Sequence, residues 1–341
     1  MPDGLPTPSL GGSIVRGLAQ VTLITNRDEA KEYTELFRRS SAAMAIFCTA
    51  AHWNTEAILL AGQRIAQKYG LSRVPLAVAM TFTYPYMPQA KRMTYSGNEQ
   101  AGFLSQMGHL KALCDGTNTP YANVVVLPHL DHADPKRDRW ALTEGLPYLA
   151  TVMFDAQKYS LDDNLAWTRD YVATYGTQVL VEGIIEELSV AGQKQAVQRD
   201  AYVEKAVHYM AETGVDFLVA DLGTEQQSAR VGGVRYLKER ALELTERLGD
   251  ARLVLHGTSC LSNDEMHNLA GDGIIRVNMW TRIAREAGQA AAERLLARQD
   301  AIRAGQFEAT ESRQYLHDSI EAAASIMVEV MEAIGYPRLG I

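Results

Sequence analysis

Short apolar runs rich in β-branched residues alternate along the chain with segments whose apolar side chains recur every three to four positions. The runs cover residues 43–48, 74–80, 124–127, 149–154, 178–182, 217–222, 252–255 and 274–277. They are too short for helices and mostly apolar, the pattern of strands buried on both faces. The segments between them predict amphipathic helices over residues 26–39, 54–69, 98–113, 137–146, 162–175, 200–212, 234–248 and 263–270. Asn26 is placed as an N-cap and Gly70 as a stop. A final helical stretch runs from residue 282 to about 334, broken near Gly305. Residues 81–95 form a loop holding Tyr84, Tyr86 and Tyr95 among prolines, and residues 183–197 a polar loop.

Eight strand–helix units imply parallel strands with helical crossovers, in the α/β class. Their span of about 250 residues is that of a closed (β/α)8 TIM barrel. A doubly wound sheet is the rival, but the first strand runs into Thr49-Ala50-Ala51-His52 rather than a glycine-rich phosphate turn. The chain thus divides into an N-terminal arm (1–25), a barrel (26–290) and extra C-terminal helices (291–341) that pack on the barrel or on a partner subunit.

Polar residues gather at one kind of place. Asp131 and His132, Asp155, Glu182, Asp221 and Glu225, His256 and Asn278 all lie at or just past the carboxyl ends of apolar runs. In a barrel those ends converge on one mouth, where active sites form. Polar loops alone do not explain why histidine ends two of the strands. The third run is followed by Pro128-His129-Leu130-Asp131-His132-Ala133-Asp134, and so many titratable groups at one strand end are costly unless they bind something. A capping turn at Asp134-Pro135 beside a chance histidine is the plainer alternative. Two histidines with carboxylates suggest a divalent cation held by His132 and His256, with Glu225, Gln226 or Asp221 as third ligand. Asp131 and His132 are neighbours in sequence, so both face one pocket only if the strand bends there.

Composition narrows the partners. The net charge of −8 and the lack of a basic block argue against nucleic acid or an anionic membrane. Three dispersed cysteines, Cys48, Cys114 and Cys260, without a CxxC pair fit a reducing cytoplasm. No apolar run is long enough to span a bilayer, and the Pro- and Gly-rich residues 1–12 do not read as a signal peptide but as a loose arm.

Five segments, in order between Ala43 and Ala287, resemble those of the zinc-dependent class II ketose-bisphosphate aldolases, which include the fructose- and tagatose-bisphosphate aldolases. They are His129-Leu130-Asp131-His132, Met153-Phe154-Asp155, Val181-Glu182-Gly183-Ile184, Val254-Leu255-His256-Gly257-Thr258-Ser259-Cys260 and Asn278-Met279-Trp280-Thr281. The resemblance implies His132 and His256 as zinc ligands and Asp131 as the acid/base at the breaking bond, with Glu182 and Asp155 as further catalytic candidates. It implies that Asn278 holds the enediolate and that Gly257, Ser259, Thr281 and the loop around Arg230 receive substrate and its phosphate. The activity implied is a metal-dependent aldolase, a carbon–carbon lyase acting on a ketose or ketose phosphate through a metal-stabilised enediolate, in a homo-oligomer (dimer or tetramer). Rival readings are a metal-independent lyase or isomerase on the same barrel, for which Lys158 is the nearest lysine, and a catalytically silent sugar-binding barrel.

Departures from the family pattern are specific. Its third zinc histidine aligns with Gln226, so Glu225 or Asp221 would complete a harder site that admits manganese or cobalt beside zinc. Ile184 replaces a glutamate, leaving Glu186 or Glu187 as nearby bases. Thr258 and Cys260 stand where glycines are expected, Trp280 replaces a small polar residue and Arg282 an aspartate. The tyrosine-rich loop either packs its aromatics or covers the mouth.

Overall fold

The computed structural model describes residues 22–115, 119–186, 201–225 and 236–340. Eight strands close into a barrel in sequence order. They are β1 (Met44–Cys48), β2 (Val74–Thr81), β3 (Val124–Ala133), β4 (Thr151–Phe154), β5 (Leu180–Ile184), β6 (Phe217–Val219), β7 (Leu253–Leu255) and β8 (Ile274–Met279). Every pairing is parallel, including β8 on β1. Every strand residue is buried, because helices cover the outer face and side chains fill the interior. That double burial is why the runs read as mostly apolar sequence.

The crossovers carry α1 (Arg27–Arg39), α2 (His52–Tyr69), α3 (Gln89–Arg92), α4 (Glu99–Cys114), α5 (Arg139–Leu142), α6 (Leu161–Tyr175), α7 (Tyr202–Thr213), α8 (Lys238–Leu248) and α9 (Asn263–Met266). After β8 come α10 (Thr281–Ala297), α11 (Gln299–Arg303), α12 (Phe307–Thr310) and α13 (Ser312–Ala333). Asn26 caps α1 as expected, its Oδ1 accepting from Glu29 N at 3.0 Å, and Gly70 ends α2 at φ +66°. The helix expected over 137–146 is shorter, because Gly145 and Pro147 introduce a 3-10 turn at Leu146–Tyr148.

Both ends of the described residues are built into the barrel. Thr22 and Ile24 bond the backbone of Val126 at 2.7 and 2.9 Å, on the edge of β3 that β4 leaves unpaired because their register begins only at His129 and Thr151. This end of the arm is therefore fastened; residues 1–21, including the segment expected to be loose, lie outside the described residues. The expected boundary at residue 290 falls inside α10, which runs through it unbroken. Helix α13 packs along α2 and α10. The fully buried Tyr336 donates to Pro75 O at 2.8 Å and accepts from Ala45 N at 3.1 Å, so the C-terminal segment covers the amino end of β1 and β2. No helix of the described residues is long and apolar enough to cross a membrane.

Candidate active site

The parity problem between Asp131 and His132 is solved by the backbone. His132 has φ +48°, and the β3–β4 register shifts between Leu130 and Ala133. A bulge re-aims side chains, and a left-handed backbone at a non-glycine residue costs free energy that is commonly retained at active sites. Asp131 and His132 consequently line one cavity of about 530 Å³ together with His256 and Asn278. The β2–β3 register sets Asp131 beside Thr81, the last residue of β2, and Asn278 is the penultimate residue of β8, so both stand at the carboxyl end of the barrel.

Donor atoms of Asp131, His132 and His256 lie within 4.8 Å of one another, and all three residues are buried. The two imidazoles meet edge to face, with centroids 5.1 Å apart and planes at 87°. His132 Nδ1 is 2.7 Å from Asp155 Oδ2. A ring N–H donated to that carboxylate leaves Nε2 as the ligand atom, the usual arrangement of a metal-binding histidine. Gln157 steadies Asp155 in turn, through its backbone N at 3.2 Å and Nε2 at 3.0 Å. His256 Nε2 and Asp131 Oδ1 are buried without a hydrogen-bond partner. Unpaired buried nitrogen and oxygen donors around one point fit a divalent cation.

Burial and charge set the protonation states. Burial holds the His256 imidazole down to about 4, more than Asp131 nearby can offset, so it is neutral and able to ligate near pH 7. Burial also acts to lower His132, but Asp131 and Asp155 outweigh it and raise the ring above its ordinary value. For Asp131, burial acts upward and is overcome by His132 and His256, leaving the carboxyl below the usual range. Its Oδ2 accepts from Asn278 Nδ2 at 3.2 Å, and Cys48 Sγ lies 3.7 Å from the same oxygen and 3.4 Å from Asn278 Oδ1. Cys48 had drawn no functional expectation, and its position at the end of an apolar strand is the only signal the sequence offers.

The loop after β2 covers the imidazoles. Tyr84 stacks on His132, with centroids 4.3 Å apart and planes at 10°, and meets Tyr86 edge on at 5.3 Å. Both line the cavity, whereas Tyr95 is fully exposed. Gln89 anchors this loop to the end of β2, its Oε1 accepting from Thr81 N at 2.9 Å and its own N donating to Thr81 Oγ1 at 3.0 Å.

Gly257, Ser259 and Thr281 line the cavity as expected. Gly257 has φ +67°, and a Cβ there would stand 2.8 Å from the Glu225 backbone, so only glycine is accommodated. The side chains of Thr258 and Cys260 turn inward, donating to the carbonyls of Asn278 and Gly257. Thr258 nevertheless lines the cavity.

Three expectations are corrected by position. Glu225 brings no donor atom into the converging group, and its backbone passes close to Gly257. Glu182 does not line the cavity. It lies inside the barrel, where it and Arg276 are both 0% exposed and their Oε1 and Nε atoms are 2.8 Å apart. Asp155 faces His132 rather than the main cavity. Asp221 is paired with Arg240 at 3.6 Å. Arg230, Gln226 and Glu187 lie outside the described residues, and Glu186 is paired with Lys205 at 3.1 Å. Lys158 is half exposed and ion-paired with Asp134 away from the main cavity.

Beneath the mouth, Arg276 Nη2 donates to Thr151 Oγ1 at 3.1 Å, and His129 Nδ1 is 2.7 Å from the same hydroxyl. His129 Nε2 lies 3.8 Å from Glu182 and 3.9 Å from Asp131. His129, Glu182 and Arg276 thus form an ionic floor under the cavity. An arginine in the middle of Ile274-Ile275-Arg276-Val277 was the sequence signal for it.

Comparison with known proteins agrees with this geometry. The family model described as "Fructose-bisphosphate aldolase class-II" matches residues 26–337. A Bacillus velezensis protein named 6-phospho-5-dehydro-2-deoxy-D-gluconate aldolase is 31% identical over 166 residues, 46% of this chain and 54% of the relative. A Helicobacter pylori fructose-bisphosphate aldolase is 29% identical over 167 residues, 46% of this chain and 51% of the relative. The chain spans about half the length of the curated relatives it matches. Among solved structures, the Campylobacter jejuni fructose-bisphosphate aldolase shares the fold with a TM-score of 0.70 at 16% identity, covering 92% of this chain and 97% of that one. The Escherichia coli YdjI aldolase does so at 0.61 and 17%, covering 89% and 96%.

Proposed function

Because the chain belongs to the class-II fructose-bisphosphate aldolase family, we propose that it is a divalent-metal aldolase that cleaves or forms a carbon–carbon bond of a ketose or ketose phosphate. The observation that carries this reading is the convergence of Asp131, His132 and His256 donor atoms within 4.8 Å at the floor of one cavity. His132 and His256 would hold the cation, with Asp131 beside them. Two imidazoles suit zinc, with manganese or cobalt as substitutes. When bound, the cation supplies Lewis-acid stabilisation for the negative charge that cleavage leaves on the ketone oxygen.

The chain's own residues do the rest. Asp131 takes the proton from the hydroxyl at the breaking bond during cleavage and returns it during condensation. Its depressed pKa keeps it ionised for the first of these steps. Asn278 fixes the carboxylate through Oδ2, leaving Oδ1 directed to the reacting group. Asp155 holds His132 in one tautomer, and Tyr84 covers the ring and limits water. Gly257, Ser259 and Thr281 offer backbone and hydroxyl groups to the substrate at the start of α10. A Schiff-base route has no support in the position of Lys158.

The test is solvent deuterium exchange into dihydroxyacetone phosphate, followed by NMR. Exchange is expected in the purified protein, absent after chelation, and restored by zinc, manganese or cobalt. Exchange that survives complete chelation would favour the metal-independent alternative; no exchange with any metal would favour a silent binding barrel.

A further inference from the structure

Arg285 has the surroundings of an anion ligand, and the proposed chemistry does not use it. It stands one helical turn beyond Thr281 on α10. Helical side chains lean toward the N-terminus, which here carries the guanidinium back to the barrel mouth. Arg285 accordingly lines the same cavity as Asp131, His132 and His256. Its Nη1 is buried and has no hydrogen-bond partner among the described residues. Its Nη2 faces the neighbouring Glu286 carboxylate at 3.6 Å, too long for a hydrogen bond.

The contrast with Arg282 is informative. The guanidinium of Arg282 is committed to Asn263 Oδ1 at 2.8 Å and to Glu286 at 3.3 Å, and only its backbone N–H reaches the site, donating to Ser259 Oγ at 2.9 Å. The charge that replaces the expected aspartate therefore points away from the cavity. The cationic group that enters it is Arg285. A second guanidinium, Arg92 at the end of α3, lines the cavity too. A buried arginine N–H without a partner is costly, and the planar guanidinium fork matches a phosphate or a carboxylate.

We propose that Arg285, assisted by Arg92, grips an oxyanion terminus of the substrate, either a phosphate ester or a carboxylate. The aldolase reading supplies the identity of the substrate as a sugar derivative; the anion site itself stands on the cavity geometry. Its test therefore uses unreactive probes that need no turnover. Binding of glycerol 3-phosphate, glycerate and neutral glycerol is measured by calorimetry on the metal-loaded full chain, for wild type, Arg285→Gln, Arg285→Lys and Arg92→Gln. Wild type is expected to prefer one or both anions over glycerol, and which anion it prefers identifies the phosphate or carboxylate source. Arg285→Gln is expected to weaken that anion by about 10- to 100-fold, with Arg285→Lys intermediate because it keeps the charge and loses the fork. Arg92→Gln gives a smaller loss and serves as the second variant should Arg285→Gln fail to fold or to retain metal. Anions bound no better than glycerol, or bound equally by wild type and Arg285→Gln, would overturn the proposal. Loss of anion binding in Arg285→Gln, in a protein that shows no exchange on dihydroxyacetone phosphate, would retain the anion site and reject the aldolase reading alone.

Discussion

His132 Nδ1 and Asp155 Oδ2 lie 2.7 Å apart, joining the end of β3 to the end of β4. The contact decides which imidazole nitrogen is free to ligate. Asp155→Asn keeps the shape and removes the charge, and an amide donor facing Nδ1 favours the wrong tautomer. Metal affinity is expected to fall about 10- to 100-fold with the fold intact. Competitive zinc titration against a chelating dye, with circular dichroism as control, measures it; unchanged affinity would show that Asp155 does not orient the ring.

The proton-transfer role proposed for Asp131 makes its replacement a test that should separate chemistry from assembly. Asp131→Asn is expected to lower kcat by roughly 10²- to 10⁴-fold while both imidazoles still hold the cation. Asn278→Ala releases Oδ2 and should lower kcat more than it raises KM, since the carboxylate loses its fixed direction. Steady-state kinetics with metal content measured on the same samples checks both.

The ionic floor makes a stability prediction. Removing one member of the fully buried Glu182–Arg276 pair leaves an uncompensated charge, so Arg276→Met is expected to destabilise by about 3–5 kcal/mol. The double variant Glu182→Met with Arg276→Met should lose less, because no buried charge is then unpaired. Urea denaturation of the three proteins tests this; a double variant less stable than Arg276→Met would contradict it.

The pH dependence follows from His256. Its folded pKa of about 4 lies below the usual 6.5, so the unfolded chain binds the extra proton between those values. Its contribution to stability is therefore fully present above about pH 6.5 and is lost as the pH falls toward 4, on the order of 3 kcal/mol in total. In metal-free protein, the stability difference between wild type and His256→Gln should change across this window and be flat above it. A difference that stays constant from pH 7 to 4 would place His256 in a less buried setting.

The closed barrel and its mouth were legible in the chain because double burial writes most of each strand as apolar residues, and the polar side chains proposed for the site follow at the strand ends. His132, His256, Asp131 and Asn278 were identified this way, and the structure brings them together. The side-chain directions were not legible. The φ of +48° at His132 reverses the alternation expected of a strand, and nothing in the tripeptide Asp131-His132-Ala133 announces it. Glu182 reads like its neighbours at the other strand ends, yet it turns into the barrel because Arg276, on a strand far along the chain, supplies its counter-charge. Glu225 places no donor atom in the group formed by Asp131, His132 and His256, and sequence spacing alone does not carry that direction. Arg285 was missed because a helix position four residues past Thr281 reveals its reach only once α10 is docked over the mouth.

The most direct test is metal stoichiometry by plasma mass spectrometry on wild type, His132→Ala and His256→Ala after exposure to zinc and exhaustive dialysis. About one divalent ion per chain is expected in wild type, and a small fraction of that in either variant. Wild type that retains no ion, or variants that retain as much as wild type, would contradict a cation held between these two histidines.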